Sequence, residues 1–352
     1  EIIPADFPMD IGFTYFVSVS ELVEFLYVHA VLSLAKGQPE PAVRDIETML
    51  RFTDTQTTSS FLITVIATYQ FIRQSLDAIW HGLENHAFDK DQLIRLQNAL
   101  GPINLIERFH EGIQGEMVTA HIATVDAVRD NRRKLSKVLE YVRSVCGNRL
   151  HYDYLISSFF RLQHAPDGWY DQHKAKILPF YQDHCLPAID TEARRVHLAK
   201  AQQHDVLANQ RITSSPFLPF FALFYEGLLR SLRSTAQTQT EVDFTILALG
   251  LERYRQANDG EYPETLDALS PDFLPTGWTI PPDILTGNPL HYLRVPEKST
   301  YLLYASGFNQ ADDGGTLYID PTHAPPHLDR ESTEKYGDWV WPTPAMSIKP
   351  TP

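Results

Sequence analysis

The chain has 352 residues, of which 43% are hydrophobic and 21% are charged, a balance typical of a globular protein with room for about two domains. Its formal net charge of −14 repels a phosphate backbone, so the composition argues against nucleic-acid binding. No run approaches the roughly 20 apolar residues of a membrane-spanning helix, and we therefore expect any membrane tether to lie outside these residues.

Two helices are predicted first, over residues 21–35 and 41–52. Ser18 and Glu21 have the spacing of a capping box, and Gly37 suits a left-handed C-terminal cap. Apolar residues at helical spacing predict one buried stripe in each helix. The first stripe comprises Leu22, Phe25, Leu26, His29, Val31 and Leu32, and the second comprises Val43, Ile46, Met49 and Leu50.

Small residues line the predicted contact between these two helices. Ala30, Ala35 and Ala42, together with the turn at Gly37, resemble one tetratricopeptide-type hairpin. No second copy follows at a fixed period, so a solenoid is not predicted. Residues 22–100 as a whole are similar to uncharacterised exported proteins of planctomycete and verrucomicrobial type, a resemblance that implies no activity.

Helical periodicity continues through the middle of the chain, and further helices are predicted over residues 59–84, 89–100, 115–145, 154–162, 192–203 and 217–258. Asp89 and Asp91 are the candidate N-caps of the second of these helices. The aromatic, proline-interrupted stretch 167–190 predicts a loop with short helical turns. In the last of the helices, a buried face is formed by Phe244, Leu247, Ala248, Leu251 and Tyr254. The predicted fold class is α+β, mostly α, with a helical domain over residues 1–212 and a long helix plus a small sheet module over residues 213–352.

Turn signals dominate from residue 241 onwards, where 14 of the 24 prolines lie. Gly260 turns the chain out of the long helix, and Pro263 suits the first turn of a short helix ending near Leu269. Strands are predicted over residues 290–295 and 300–305, with a third over 316–319 after an acidic, glycine-rich loop. This order predicts a long helix packed across a small antiparallel sheet.

The module resembles the globular domain of the major pseudopilin of type II secretion systems, over about residues 241–320. The resemblance rests on the helix-end tyrosine, the Gly-x-Tyr-Pro turn, the Pro-Asp turn and the Ser-Gly…Asp-Asp-Gly-Gly loop. In that family the late loop binds calcium, which implies Ser306, Asn309, Asp312 and Asp313 as ligands here. The family's second acidic cluster lacks a clear counterpart, and the alternative is that these aspartates cap turns of their own loop.

Other candidate chemistry is sparse. Glu107, His110 and Glu111 share a helical face, but a di-iron bundle needs a second Glu-x-x-His motif, so a solvated face is expected. Cys146 and Cys185 either form a disulfide or remain two thiols. The sequence contains no Gly-x-Ser-x-Gly elbow, phosphate-binding glycine loop or dinucleotide fingerprint.

These patterns favour a non-catalytic scaffold or protein-binding protein of the cell envelope, exported to the periplasm or cell surface and membrane-anchored at full length. Its partner is expected to be another protein. A filament subunit is not expected, since more than two hundred residues precede the long helix and residues 238–241 are not apolar. Two alternatives stay open: an extracytoplasmic hydrolase with its site between the helical region and the C-terminal module, and a secretion-system accessory that binds pseudopilins.

Overall fold

The chain folds as an α+β protein that is mostly helical, with a small antiparallel sheet near its C-terminal end. A computed structural model describes residues 13–55, 62–137, 140, 161–203, 206–207, 228–316 and 337–341. Several predictions fall outside these ranges: most of helix 154–162, the first part of helix 217–258, the third strand at 317–319, Cys146 and the domain boundary at residue 212.

The first two helices, α1 (Phe13–Ala35) and α2 (Pro39–Thr55), form the predicted hairpin. Gly37 is left-handed at φ +70°, and the N–H groups of Gly37 and Gln38 bond the carbonyls of Leu34 and Ser33 at 2.9 Å each, which is a Schellman cap. The predicted stripe of α2 is confirmed as core, and Ala30 and Ala42 are fully buried between the helices. Ala35, in contrast, is exposed.

The predicted burial of the α1 stripe is wrong for four of its six members, whereas Leu26 is partly buried against the core. Leu22, Phe25 and Leu32 are 43%, 65% and 52% exposed, while Val19, Val23 and Ala30 face the core. The helix is apolar on both sides, so periodicity alone does not identify the inner face.

The expectation that no segment is apolar enough to span a membrane is also wrong by length and composition: the window Ser18–Ala35 has a mean hydropathy of 1.4, with 22% of it buried inside the protein.

Three further helices follow: α3 (Leu62–Glu84) and α4 (Lys90–Leu100) pack against this hairpin, and α5 (Leu105–Val118) packs on α3. The predicted cap at Asp89 is confirmed, because its side chain accepts the Gln92 N–H at 2.9 Å and the Gln92 side chain accepts the Asp89 N–H at 3.1 Å. The reciprocal bonds set the start of α4 and thereby place Leu93, Leu96 and Leu100 in the core.

The region after α5 departs most from expectation. The helix predicted over 115–145 begins earlier, within α5, passes through a π-helical turn (Thr119–Ala123) and continues as α6 (Thr124–Asp130). The loop predicted over 167–190 is instead α7 (Asp167–Phe180), followed by a second π-helical turn (Tyr181–Cys185). The helix predicted from residue 192 starts only at 198, after a short hairpin of β1 (Ile189–Asp190) and β2 (Arg195–Val196).

The long helix α8 (Leu228–Ala257) is the centre of the fold. One side packs on α3, α4 and α5 through Val242, Ile246 and Leu249. The other side carries the predicted face Phe244, Leu247, Ala248 and Leu251 and packs against the sheet module. The helix is therefore shared between the helical region and the module.

Buried polar residues of α8 hold its neighbours in place. Gln239 Oε1 accepts the N–H of Leu105 at 2.6 Å, at the start of α5, and Asp243 pairs with Arg194 at 3.1 Å. Threonines 235, 238, 240 and 245 bond carbonyls one turn back in the helix. Because these bonds satisfy its polar side chains, α8 can be buried on nearly all sides although its sequence is not uniformly apolar.

The C-terminal module contains the predicted short helical turn and the first two predicted strands. A 3₁₀ turn (Leu266–Leu269) precedes β3 (His291–Val295) and β4 (Thr300–Ala305), which pair antiparallel from His291–Tyr304 to Val295–Thr300. The third strand is β5 (Trp339–Val340), which pairs with the end of β4. Trp341 is 7% exposed and packs against the same core, so this part of the tail docks on its own module.

Candidate functional site

An apolar patch lies on the outer side of α1. Its members Leu22, Phe25, Val28 and Leu32 follow one another at helical spacing and are between 43% and 65% exposed. We call these four residues the α1 apolar face. Isolated exposed apolar side chains are ordinary, but a run along one helix face is typical of a surface that contacts another macromolecule or a membrane.

The predicted calcium ligands lie in one loop and its flanks. Asp312 Oδ1 accepts the Gly314 N–H at 2.9 Å, which lowers the pKa of Asp312. Asp313 Oδ2 accepts the Asn309 Nδ2 at 2.8 Å and the Gly337 N–H at 3.1 Å. The Ser306 N–H donates to Asp283 Oδ2 at 2.8 Å. The turn-capping alternative thus describes what these aspartates do in this structure.

Asp338 joins this loop from the tail. Its Oδ2 accepts the N–H groups of Asp313 and Gly315 at 3.0 and 2.8 Å, and burial raises its pKa. Its Oδ1 is buried and has no hydrogen-bond partner among the described residues. The described ranges contain no group of three or more His, Cys, Asp or Glu side chains arranged to hold a metal ion. Calcium binding accordingly stays a prediction, for which Asp338 supplies one unsatisfied oxygen.

A histidine pair that the sequence did not indicate lies inside the helical region. His121, on the first π-helical turn, is 3.3 Å from His173 of α7 and 3.2 Å from the hydroxyl of Tyr181 on the second. All three are 0–1% exposed. Burial lowers the pKa of His173 to about 3 and holds that of His121 well below its usual value, so both rings are neutral. Among the described residues, these three side chains form a buried, hydrogen-bonded packing network.

Two further buried titratable groups lie in the same half of the molecule. Burial raises the pKa of Glu116 to about 7, although a backbone hydrogen bond at Leu62 opposes the shift. Cys185 is buried and has no disulfide partner among the described residues, which do not include Cys146; burial raises the pKa of its thiol to about 12, which makes it a poor nucleophile.

The junction between the helical region and the module holds a buried carboxylate. Glu252 of α8 is 3% exposed, pairs through both oxygens with Arg255 at 2.8 Å and lies 3.1 Å from His86 Nδ1. His86 is left-handed at φ +49°, and its side chain is 51% exposed. Burial, followed by the charge of Glu252, raises the pKa of Tyr262 to about 12. A carboxylate that orients a solvent-facing histidine is one part of a general-base arrangement.

The structure does not bring the other candidate residues of the sequence together in a site. Glu107 and Glu111 are exposed and His110 is partly exposed on α5. Two arginines in a basic stretch at residues 129–134 have acidic partners: Arg129 pairs with Asp126, Asp130 and Asp171, and Arg132 pairs with Asp167 at 2.6 Å. No protein-family model, curated protein or solved structure matches this chain.

Proposed function

We propose that this chain is a non-catalytic scaffold of the cell envelope that binds another protein through the α1 apolar face. The observation that carries the proposal is the run of four large apolar side chains on the outer side of α1. Docking would bury roughly half of the apolar area that each side chain still exposes to water. At ordinary transfer free energies this burial contributes about 1 kcal/mol of binding free energy per side chain. The face is therefore suited to an apolar helix or groove on a partner.

The envelope location rests on the resemblance of the C-terminal module to pseudopilin domains and is supported by the apolar N-terminal helix. The same resemblance supports a secretion-system accessory as the narrower version of this proposal. A pseudopilin as the captured partner would favour that version.

Site-specific photo-crosslinking in the native host tests the proposal. A photoreactive amino acid replaces Phe25 or Leu32, and in the matched control it replaces Leu293, which is 59% exposed on β3. We expect one reproducible crosslinked protein from positions 25 and 32 and none from 293, in the membrane or periplasmic fraction. Equal crosslinking from all three positions, or recovery of the protein in the cytoplasm, would contradict the proposal.

We also propose that the loop around Asp312 and Asp313 binds calcium, with Ser306, Asn309 and the tail residue Asp338 nearby. The support is the resemblance together with the unsatisfied Asp338 Oδ1. Oxygen donors on a glycine-bearing loop suit a hard cation, and binding there would fasten the tail strand β5 to the sheet.

The extracytoplasmic hydrolase remains a second candidate because of one observation, the pairing of His86 with Glu252 at the junction. Arg255 already neutralises that carboxylate, which weakens it as the partner of a base. Screening the purified protein against ester, peptide and glycoside substrates, with His86→Ala as the comparison, tests it. Activity that His86→Ala abolishes would favour the hydrolase over the scaffold.

A further inference from the structure

The α1 apolar face has opposite charges at its two ends. Glu21 and Glu24 are exposed at its N-terminal end, and Lys36 is exposed just past its C-terminal end. A lipid surface that covered the face would have to take up both carboxylates together with the apolar side chains, which is costly without a partner for the charges. A protein surface can instead offer charges of the opposite sign at each end.

The spacing of these residues along α1 is self-complementary. Phe25 and Leu32 lie equally far from the peptide bond after Val28, and so do Glu21 and Lys36. A two-fold axis at that point, perpendicular to the helix, would bring a second α1 into antiparallel contact. Phe25 would then lie at the level of Leu32 of the second copy, and Glu21 at the level of Lys36 of the second copy. A parallel pair would instead place like charges side by side.

The centre of the face is already ordered. The rings of Phe25 and His29 are stacked, with their centroids 6.3 Å and their planes 11° apart. His29 Nδ1 in turn lies 2.5 Å from Asp45 Oδ2 of α2. Phe25 is 65% exposed, so its ring offers a large apolar surface in a position that is fixed before docking. An aromatic ring that needs little ordering is the kind of side chain that contributes most at the centre of an interface.

We propose that the α1 apolar face binds the same face of a second copy of this chain, in an antiparallel arrangement about a two-fold axis beside Val28. This rests on the proposed function and names the partner of that surface. A two-fold interface uses each contact twice, so one apolar face and one pair of opposite charges are enough to build it. Four large apolar side chains per copy make a small interface, and the dimer is therefore expected at micromolar concentrations.

Sedimentation velocity of the full chain from about 1 to about 100 µM tests the proposal. We expect a change from monomer to dimer over this range. Phe25→Asp should raise the dissociation constant at least tenfold, because it places a carboxylate at the centre of the interface. The matched control is Leu293→Asp, at a residue of β3 that is 59% exposed, and it should leave the dissociation constant unchanged. Melting temperatures measured on dilute, monomeric samples check that both variants are folded.

A charge exchange tests the antiparallel arrangement. Glu21→Lys and Lys36→Glu should each weaken the dimer several-fold, because each places like charges next to each other at both ends of the interface. The variant that carries both changes restores opposite charges and should recover the affinity of the wild type to within about twofold. Single changes without effect, or a double variant as weak as the single ones, would overturn the arrangement.

The remaining outcomes separate this proposal from the proposed function. A chain that stays monomeric at about 100 µM overturns the dimer. If positions 25 and 32 then crosslink to a different protein in the host, the proposed function stands with that protein as the partner. If neither position crosslinks to any protein, the proposed function fails as well. A monomer that floats with phosphatidylcholine vesicles, and whose Phe25→Asp variant does not, would show that lipid covers the face and would also overturn the dimer.

Discussion

Acidification from about pH 8 to about pH 5 should change the folding stability through buried groups of the helical region, and these groups change it in opposite directions. His173 is the clearest destabilising group, since burial lowers its pKa from 6.5 to about 3, with Lys174 adding to the shift. Below about pH 6.5 the unfolded chain binds a proton that the folded chain does not, so stability is lost as the pH falls towards about 3. At pH 5 the loss is about 2 kcal/mol, and His121 adds to it with the same sign.

Glu116 opposes this loss. Its pKa is raised from 4.5 to about 7, so the folded chain keeps a proton that the unfolded chain releases between these two values. The stability that Glu116 contributes is therefore lost as the pH rises from about 4.5 to about 7, and it is regained on acidification. Between pH 8 and pH 5 the gain is about 2.5 kcal/mol, which offsets the loss from His173.

Urea denaturation followed by tryptophan fluorescence at both pH values separates the two effects. Glu116→Gln should lose about 2.5 kcal/mol more on acidification than the wild type, and His173→Gln about 2 kcal/mol less. The remaining titratable groups are common to all variants, so the differences isolate these residues. His164→Gln, at an exposed position, should follow the wild type. If Glu116→Gln and the wild type lose the same stability, the assignment of these shifts to burial is wrong.

Three other changes have expected outcomes. Gly307→Ala should destabilise the protein by about 1–3 kcal/mol in urea denaturation, because a Cβ there would lie 2.0 Å from the carbonyl oxygen of Gly337 and push away the tail strand. The control is Gly168→Ala, whose Cβ would meet nothing within 4 Å. Asp89→Ala should cost about 1 kcal/mol in the same assay, because it removes the capping box of α4. Calcium at about 1 mM should raise the melting temperature of the wild type and not that of Asp313→Asn, and equal melting curves would contradict the calcium proposal.

Local patterns were enough for the elements whose signals are short-range. The left-handed cap at Gly37, the capping role of Asp89 and the strand 300–305 follow from residue chemistry within a few positions. The core stripe of α2 was also correct, because that helix has one apolar and one charged side. The predicted calcium ligands, in contrast, were inferred from the resemblance to pseudopilins. The structure shows the hydrogen bonds of this loop, and calcium binding there stays a prediction.

The features missed by pattern depend on what lies next to each element. A π-helical turn changes the register within a helix, and the spacing of residues around His121 gave no sign of it. The partners His121 and His173 are 52 positions apart and meet only because α6 and α7 pack together. The segment 167–190 carries an internal proline and many aromatics, which suggested a loop, but its burial against α5 and α6 stabilises a helix.

The sequence by itself determined the class of the fold, the hairpin turn, the cap of α4, the inner face of the long helix and the order of the C-terminal module, because helix and strand periodicities and turn residues act locally. Only the tertiary structure decided which side of α1 faces outwards, since apolar residues lie on both sides of that helix and the choice depends on how α2 and α3 pack against it. It also decided that the polar residues of α8 are buried, because their hydrogen-bond partners come from segments distant in sequence.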